Sequence, residues 1–307
     1  MTVLTMPAQP GQDHALRPLP WRRMAWVTWR QHRATIITLP AILGAVSVFL
    51  LIAGLKIHHD YAVLTACHPF QSNACQQLNS NFNQTDWTIG NTLLILMNLA
   101  PALLGAFAGA PVLARELETG TFRYAWTQGY GRERWTIAKL TLLAVVIVAV
   151  TAAFSQLFTW FFRPFLAQES LNVLSATVFA TRGVVFAAWT LAAFTIGAFC
   201  GMLLRRIVPA MAITLGVYLG FALLTWGFLR KYYVPSVVSS GAALGNGPIT
   251  PQDPWVLSHW FVGSTQWVRY IPVSRFWPMQ LIEGGWLLVL SALLIAATVW
   301  LVRRRAA

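Results

Sequence analysis

The sequence predicts an all-α integral membrane protein with six transmembrane helices, and three observations predict it. Hydrophobic residues make up 57% of the 307 and charged residues only 10%, far below the roughly 25% charged of soluble domains. The apolar residues fall in six long runs rather than the short alternating segments of a β-barrel. The basic residues behind the net charge of +13 sit at the ends of those runs. There the lipid bilayer and topology account for them, without nucleic acid as a partner.

Residues 1–20 hold four prolines and little apolar periodicity, so they read as a flexible tail rather than a cleavable signal. Residues 21–307 read as a single transmembrane domain. Within Trp21–Arg33, Trp21, Met24, Ala25, Thr28 and Trp29 share one helical face, and Arg22, Arg23, Arg30 and Arg33 cluster opposite, with Trp26 among them. That pattern predicts an amphipathic helix in the interface; an ordinary positive flank that fixes topology is the plainer alternative. The spans then follow at 34–55, 92–113, 140–162, 184–203, 207–229 and 286–302, the last extending upstream toward Phe276. Each approaches the roughly 20 apolar residues that a bilayer requires.

An even number of spans puts both termini on one side. That side collects fifteen Lys and Arg against seven on the other, which predicts that it is cytoplasmic. The outer loops are then 56–91, 163–183 and 230–285. The last carries Trp255, Trp260, Trp267, Tyr270, Phe276 and Trp277. Such density fits helices lying at the outer interface or dipping into it, and fits a packed extracellular cap equally well. Cys67 and Cys75 share the first outer loop, so an oxidising environment predicts a disulfide between them. Cys200, inside an apolar run, reads as a small packing residue.

Several chemistries lack their motifs. The chain has no Gly-x-x-x-x-Gly-Lys-Ser/Thr phosphate loop, no His-Glu-x-x-His and no Cys-x-x-Cys. In Gly129-Tyr130-Gly131 the position of a third fingerprint glycine is held by Arg134, so the segment reads as a turn. His58-His59-Asp60 reads as solvated loop rather than a metal site. No span as drawn contains Asp, Glu, Lys, Arg or His, which disfavours an ion-coupled secondary transporter and a membrane enzyme. No catalytic residue is assigned. The neutral polar residues Asn98, Gln156, Thr190, Thr214 and Tyr218 are explained by hydrogen bonding between helices.

The segment between the second and third spans, Arg115–Lys139, is too long and amphiphilic for a mere connection. Glu116 and Glu118 precede Gly120-Thr121; Phe122, Tyr124 and Trp126 follow; a turn at Gln128–Gly131 leads to Arg132, Glu133, Arg134 and Trp135. This reads as a surface that grips a soluble partner. Its order Glu116-Leu117-Glu118-Thr119-Gly120-Thr121, Ala125-Trp126-Thr127-Gln128, Arg132 or Arg134 and Lys139 resembles the corresponding loop of type-2 ABC transporter permeases, especially small actinobacterial ones. Trp26-x-x-Trp29-Arg30-Gln31-His32-Arg33 resembles the helix before that family's first span. Ser274-Arg275-Phe276-Trp277-Pro278-x-Gln280-x-x-Glu283 resembles its approach to the last span. Gln128-Gly129 departs from the Pro-containing turn of many members.

The resemblance implies a permease subunit of an ATP-driven exporter in a bacterial plasma (inner) membrane. Its partners would be two ATP-binding subunits and a second permease chain, identical or related. ATP and Mg would sit on the partner ATPase and no cofactor on this chain. Carried over, Glu116, Glu118, Gly120, Thr121, Arg123, Trp126, Arg132 and Arg134 would form or support the ATPase-coupling helix. Met97, Asn98, Thr214, Tyr218 and Phe221 would be candidate cavity residues. Spans without charge suit a hydrophobic or amphipathic cargo such as a drug, lipid or peptide. A non-transporting scaffold or signalling protein that recruits a partner through the same loop is the alternative.

Overall fold

A computed structural model describes residues 21–120, 132–168, 172–240, 255–263 and 265–305, with the backbone alone at 21–36, 38–40, 132, 240 and 305. The expected tail 1–20 lies outside the described residues. Among the described residues, six helices are long and apolar enough to cross a membrane.

Helix α1, Trp21–Ala66, is unbroken. The segment expected as an interfacial helix is therefore continuous with the first span, with Pro40 lying between the two; a proline inside a helix removes a backbone hydrogen bond and loosens the chain there. At 1.5 Å per residue α1 is about 70 Å long, roughly twice the hydrocarbon thickness, so it projects from the bilayer. The expected outer loop 56–91 is mostly helix. Lys56 pairs with Asp60 at 2.7 Å on its own helix and with Asp86 at 2.9 Å. The Cys67–Cys75 disulfide, with Cα atoms 5.8 Å apart, ties the turn into α2, Asn73–Asn81. Ser72 caps α2 by accepting a hydrogen bond from Cys75 N.

Helical backbone continues through a π-turn at Phe82–Asp86 into α3, Trp87–Leu104, then through a second at Gly105–Gly109 into α4, Ala110–Thr119. Gly120, at φ 70°, ends α4 in the left-handed conformation that glycine adopts without strain. Then come α5 (Arg132–Phe161), the short α6 (Arg163–Ala167) and α7 (Ala176–Thr181), α8 (Gly183–Leu204) and α9 (Ile207–Leu224), and finally α10 (Phe276–Arg305).

Of the two expectations for the loop 230–285, interfacial helices are not what its described residues between 237 and 271 form; they make an antiparallel sheet of β1 (Val237–Ser240), β2 (Trp255–Val262) and β3 (Thr265–Ile271), ordered β1-β3-β2, which the alternative of a packed cap admits. Trp260 pairs with Trp267 across β2 and β3, and a bulge falls between Val256 and Ser258. Aromatic and β-branched side chains favour strands when they pair across a ladder. The bundle thus has a sheet end and, opposite, a connection end, where α4 leads toward α5.

Helix α8 is the axis: 83% of its apolar stretch is buried, against 17–56% for the other five spans. It meets the second span backbone to backbone. A methyl at Gly105 would fall 2.6 Å from Ala193 O, and one at Gly109 would fall 2.5 Å from Phe194 O; methyls at Gly197 and Gly201 would strike Gly105 O and Ala110 O. Two Gly-x-x-x-Gly pairs thus face each other, the small-residue packing that lets membrane helices approach closely. Phe154, Phe158, Phe161, Phe162 and Phe165 fill the core between α1, α3 and α5.

Candidate functional site

At the connection end the last turn of α4 brings two carboxylates to two other spans. Lys139 of α5 is fully buried; its ammonium donates to Val112 O and to Glu116 Oε1, each at 2.7 Å, and lies 4.7 Å over the Trp135 ring. A buried ammonium is tolerated when it is paired and hydrogen-bonded. Glu118 Oε2 accepts the backbone N–H of Ile207 at 2.9 Å. Ile207 opens α9, and no side chain of Arg206 caps it. Glu118 thus supplies, from another helix, the acceptor and negative charge that a helix N-terminus favours. At the same end Glu133 of α5 pairs with Arg303 of α10 at 3.2 Å.

Glu116 and Glu118 therefore bond within the chain, to the third and fifth spans. Arg134 is exposed, and so are Arg115, Arg205 and Arg206. Thr121, Arg123 and Trp126 lie outside the described residues, as does the side chain of Arg132. The same holds for the side chains of Trp21, Arg22, Arg23, Trp29, Arg30 and Arg33, whose backbone is helical.

At the sheet end the structure shows a feature that sequence reading missed. The sixth span begins at Phe276 and carries Glu283 into the bundle, which corrects the expectation of spans free of ionisable groups. Arg230, just beyond the fifth span, and Glu283 are both fully buried. Arg230 donates Nε–H to Glu283 Oε2 at 2.9 Å and Nη2–H to Oε1 at 2.7 Å, and its Nη1 donates to Ala176 O at 3.1 Å. Trp189 of α8 donates its indole N–H to Glu283 Oε1 at 2.8 Å. One turn earlier, Gln280 accepts from Val185 N at 3.0 Å and donates to Phe179 O at 3.1 Å. The Gln280-x-x-Glu283 spacing puts both side chains on one helix face, the one legible sign of this cluster. Arg230 and Glu283 themselves are far apart in sequence.

The five candidate cavity residues do not converge on one opening. Met97 packs in the phenylalanine core. Asn98 donates to Leu94 O at 2.8 Å and Thr177 O at 3.2 Å. Thr214 is buried and bonded to Ala210 O, while Tyr218 and Phe221 meet the Trp189 ring edge-on, 5.6 and 6.2 Å between centroids. These three turn toward α8. Val208, Val217 and Leu223 of α9 are exposed instead, and Gly216 and Gly220 border open space.

No curated protein and no solved structure matches the chain. A family model described as ABC-2 membrane transporter related matches residues 40–230, more than half of the sequence and all of the first five spans' described apolar cores. With its six apolar helices and an amphiphilic connection between the second and third, the chain belongs to the ABC-2 membrane transporter related family.

Proposed function

We propose that this chain is the permease subunit of an ATP-driven exporter, with the connection end cytoplasmic and the sheet end outside. A separate ATPase, present in two copies, binds and hydrolyses ATP with Mg. A second permease chain, identical or related, packs against the exposed face of α9. The cargo is hydrophobic or amphipathic: a drug, lipid or peptide. One observation carries the coupling role. The turn of α4 that leads into the connection holds the third span through Glu116–Lys139 and the fifth through Glu118–Ile207 N. A push on the connection reaches both spans through hydrogen-bonded, partly charged contacts.

The Arg230–Glu283 cluster supports export by ATP over ion coupling. Glu283 accepts two bonds from a guanidinium and one from an indole. A carboxylate so saturated offers no free site for a transported proton or cation, and its cluster reads as a structural clamp among the fourth, fifth and sixth spans.

The test is purification of the tagged chain from its native membrane. The reading predicts an ATP-hydrolysing subunit at one copy per permease, with hydrolysis stimulated by amphipathic compounds. A chain that purifies with a soluble partner lacking ATPase activity would favour the scaffold alternative.

A further inference from the structure

The sheet end holds a cavity of about 540 Å³ whose lining includes Lys231, Tyr232, Tyr233, Ser236, Ser258 and Arg269. Its size falls in the range of ligand sites, roughly 300–1,000 Å³. Its chemistry is one-sided. Lys231 and Arg269 supply two positive charges, and the Tyr232, Ser236 and Ser258 hydroxyls supply further donors. Among the described residues no carboxylate lines the cavity and none pairs with either cation. The nearby Glu283 is already neutralised by Arg230. Burial, and then the Glu283 carboxylate, push the Tyr233 phenol up to about 12, and its oxygen accepts the Trp286 indole N–H at 3.0 Å. The β2 bulge falls beside Leu257 and Ser258, the kind of irregularity that re-aims side chains at sites.

Position adds a second feature. The Lys231 ammonium lies 5.7 Å from the Phe228 ring, and Phe228 is 62% exposed at the end of the fifth span. Leu224, a turn deeper, is exposed as well. A cationic pocket thus opens directly above an apolar, bilayer-facing helix surface. Paired cations with hydroxyl donors fit a phosphate group, and the apolar strip below fits acyl chains.

We propose that this cavity binds the phosphate headgroup of an anionic lipid, held between Lys231 and Arg269 with its chains along Leu224 and Phe228. The proposal does not depend on ATP-driven export, because binding is read without nucleotide or ATPase.

The experiment is native mass spectrometry of the purified chain with defined lipid. The parent protein should retain phosphatidylglycerol at least about tenfold better than phosphatidylcholine. Lys231→Gln/Arg269→Gln should abolish that preference, whereas Arg303→Gln/Arg304→Gln at the opposite end should keep it. Lys231→Arg should also keep it, which covers the case in which the double variant fails to fold. Inorganic phosphate at millimolar concentration identifies the source. If it fails to displace the lipid, the ligand is a membrane lipid; if it displaces the lipid and binds alone in the parent but not in the variant, the site serves a soluble phosphate compound. Equal retention of both lipids by the parent, or an unchanged preference in the folded double variant, overturns the proposal.

Discussion

At the scale of single residues, Glu283 has the most to lose. Its carboxylate neutralises a guanidinium that is 0% exposed. Glu283→Ala leaves that charge buried and unpaired, and breaking a buried pair from one side costs about 3–5 kcal/mol. Thermal unfolding in detergent should show a large drop for Glu283→Ala and for Arg230→Met. The double variant Arg230→Met/Glu283→Leu should recover most of it, because an apolar replacement leaves no orphan charge. A double variant as unstable as the singles would mean that the ion pair itself, rather than the removal of orphan charge, holds this end. Lys139 poses the same problem at the other end, with Glu116 and a carbonyl as its partners. None of these long-range pairs is written in local sequence. Lys139 reads as an ordinary flank charge, and Glu283 falls just outside the most apolar part of its span.

At the scale of elements, the second span and α8 meet through glycines, backbone against backbone. Gly197→Val would drive side-chain atoms into Gly105 O, and overpacking of this kind costs roughly 1–3 kcal/mol or more. Folded yield should fall sharply, measured by size-exclusion of a fluorescent fusion. Gly216→Val on the open face of α9 should leave the yield of the single chain unchanged. The disulfide belongs to this scale too. Closing a loop with a separation of 8 residues stabilises the turn by about 2–3 kcal/mol in the chain-entropy model. Thiol reagents should label Cys67 and Cys75 only after reduction; ready labelling beforehand would contradict the bridge.

How far the elements were legible follows from the physics of each. Apolar runs locate spans because hydrocarbon tolerates little else. They do not locate helix ends, since helices such as α1 continue into water once polar residues like Lys56 and Asp60 pair along them. The Gly-x-x-x-Gly pairs at Gly105 and Gly197 were readable, but nothing local says that they face each other. Aromatic density suits a membrane interface and a strand ladder alike, and only the period separates them. Trp255–Val262 and Thr265–Ile271, separated by Gly263 at φ 63°, carry the hairpin signature of β-branched and aromatic residues around a turn glycine.

At the scale of the whole molecule, charge and connectivity set direction. The connection end carries exposed Arg115, Arg134, Arg205 and Arg206, while the acids near it are engaged within the chain. An ATPase docking here, as proposed, would meet a surface whose free charge, among the described residues, is positive. On the proposed orientation, with the connection end cytoplasmic, Lys56→Cys should react with an impermeant thiol reagent from outside the cell and Arg134→Cys only after permeabilisation. The reverse pattern would invert the orientation and end the exporter reading. Within the connection, Trp126→Ala and Arg123→Ala should weaken ATPase binding, since truncated aromatic and Arg anchors often cost about 2 kcal/mol or more.

On the proposed coupling route, the end of α4 transmits ATPase motion to the fifth span through Glu118. Removing an N-terminal cap costs about 1 kcal/mol, so Glu118→Ala should still fold, insert and assemble. The decisive measurement is substrate-stimulated ATP hydrolysis and transport per assembled complex, for the parent, Glu118→Gln and Glu118→Ala. Glu118→Ala should retain basal hydrolysis but lose stimulation and transport several-fold, with Glu118→Gln, which can still accept from Ile207 N, in between. A Glu118→Ala complex that couples hydrolysis to transport as well as the parent would contradict it.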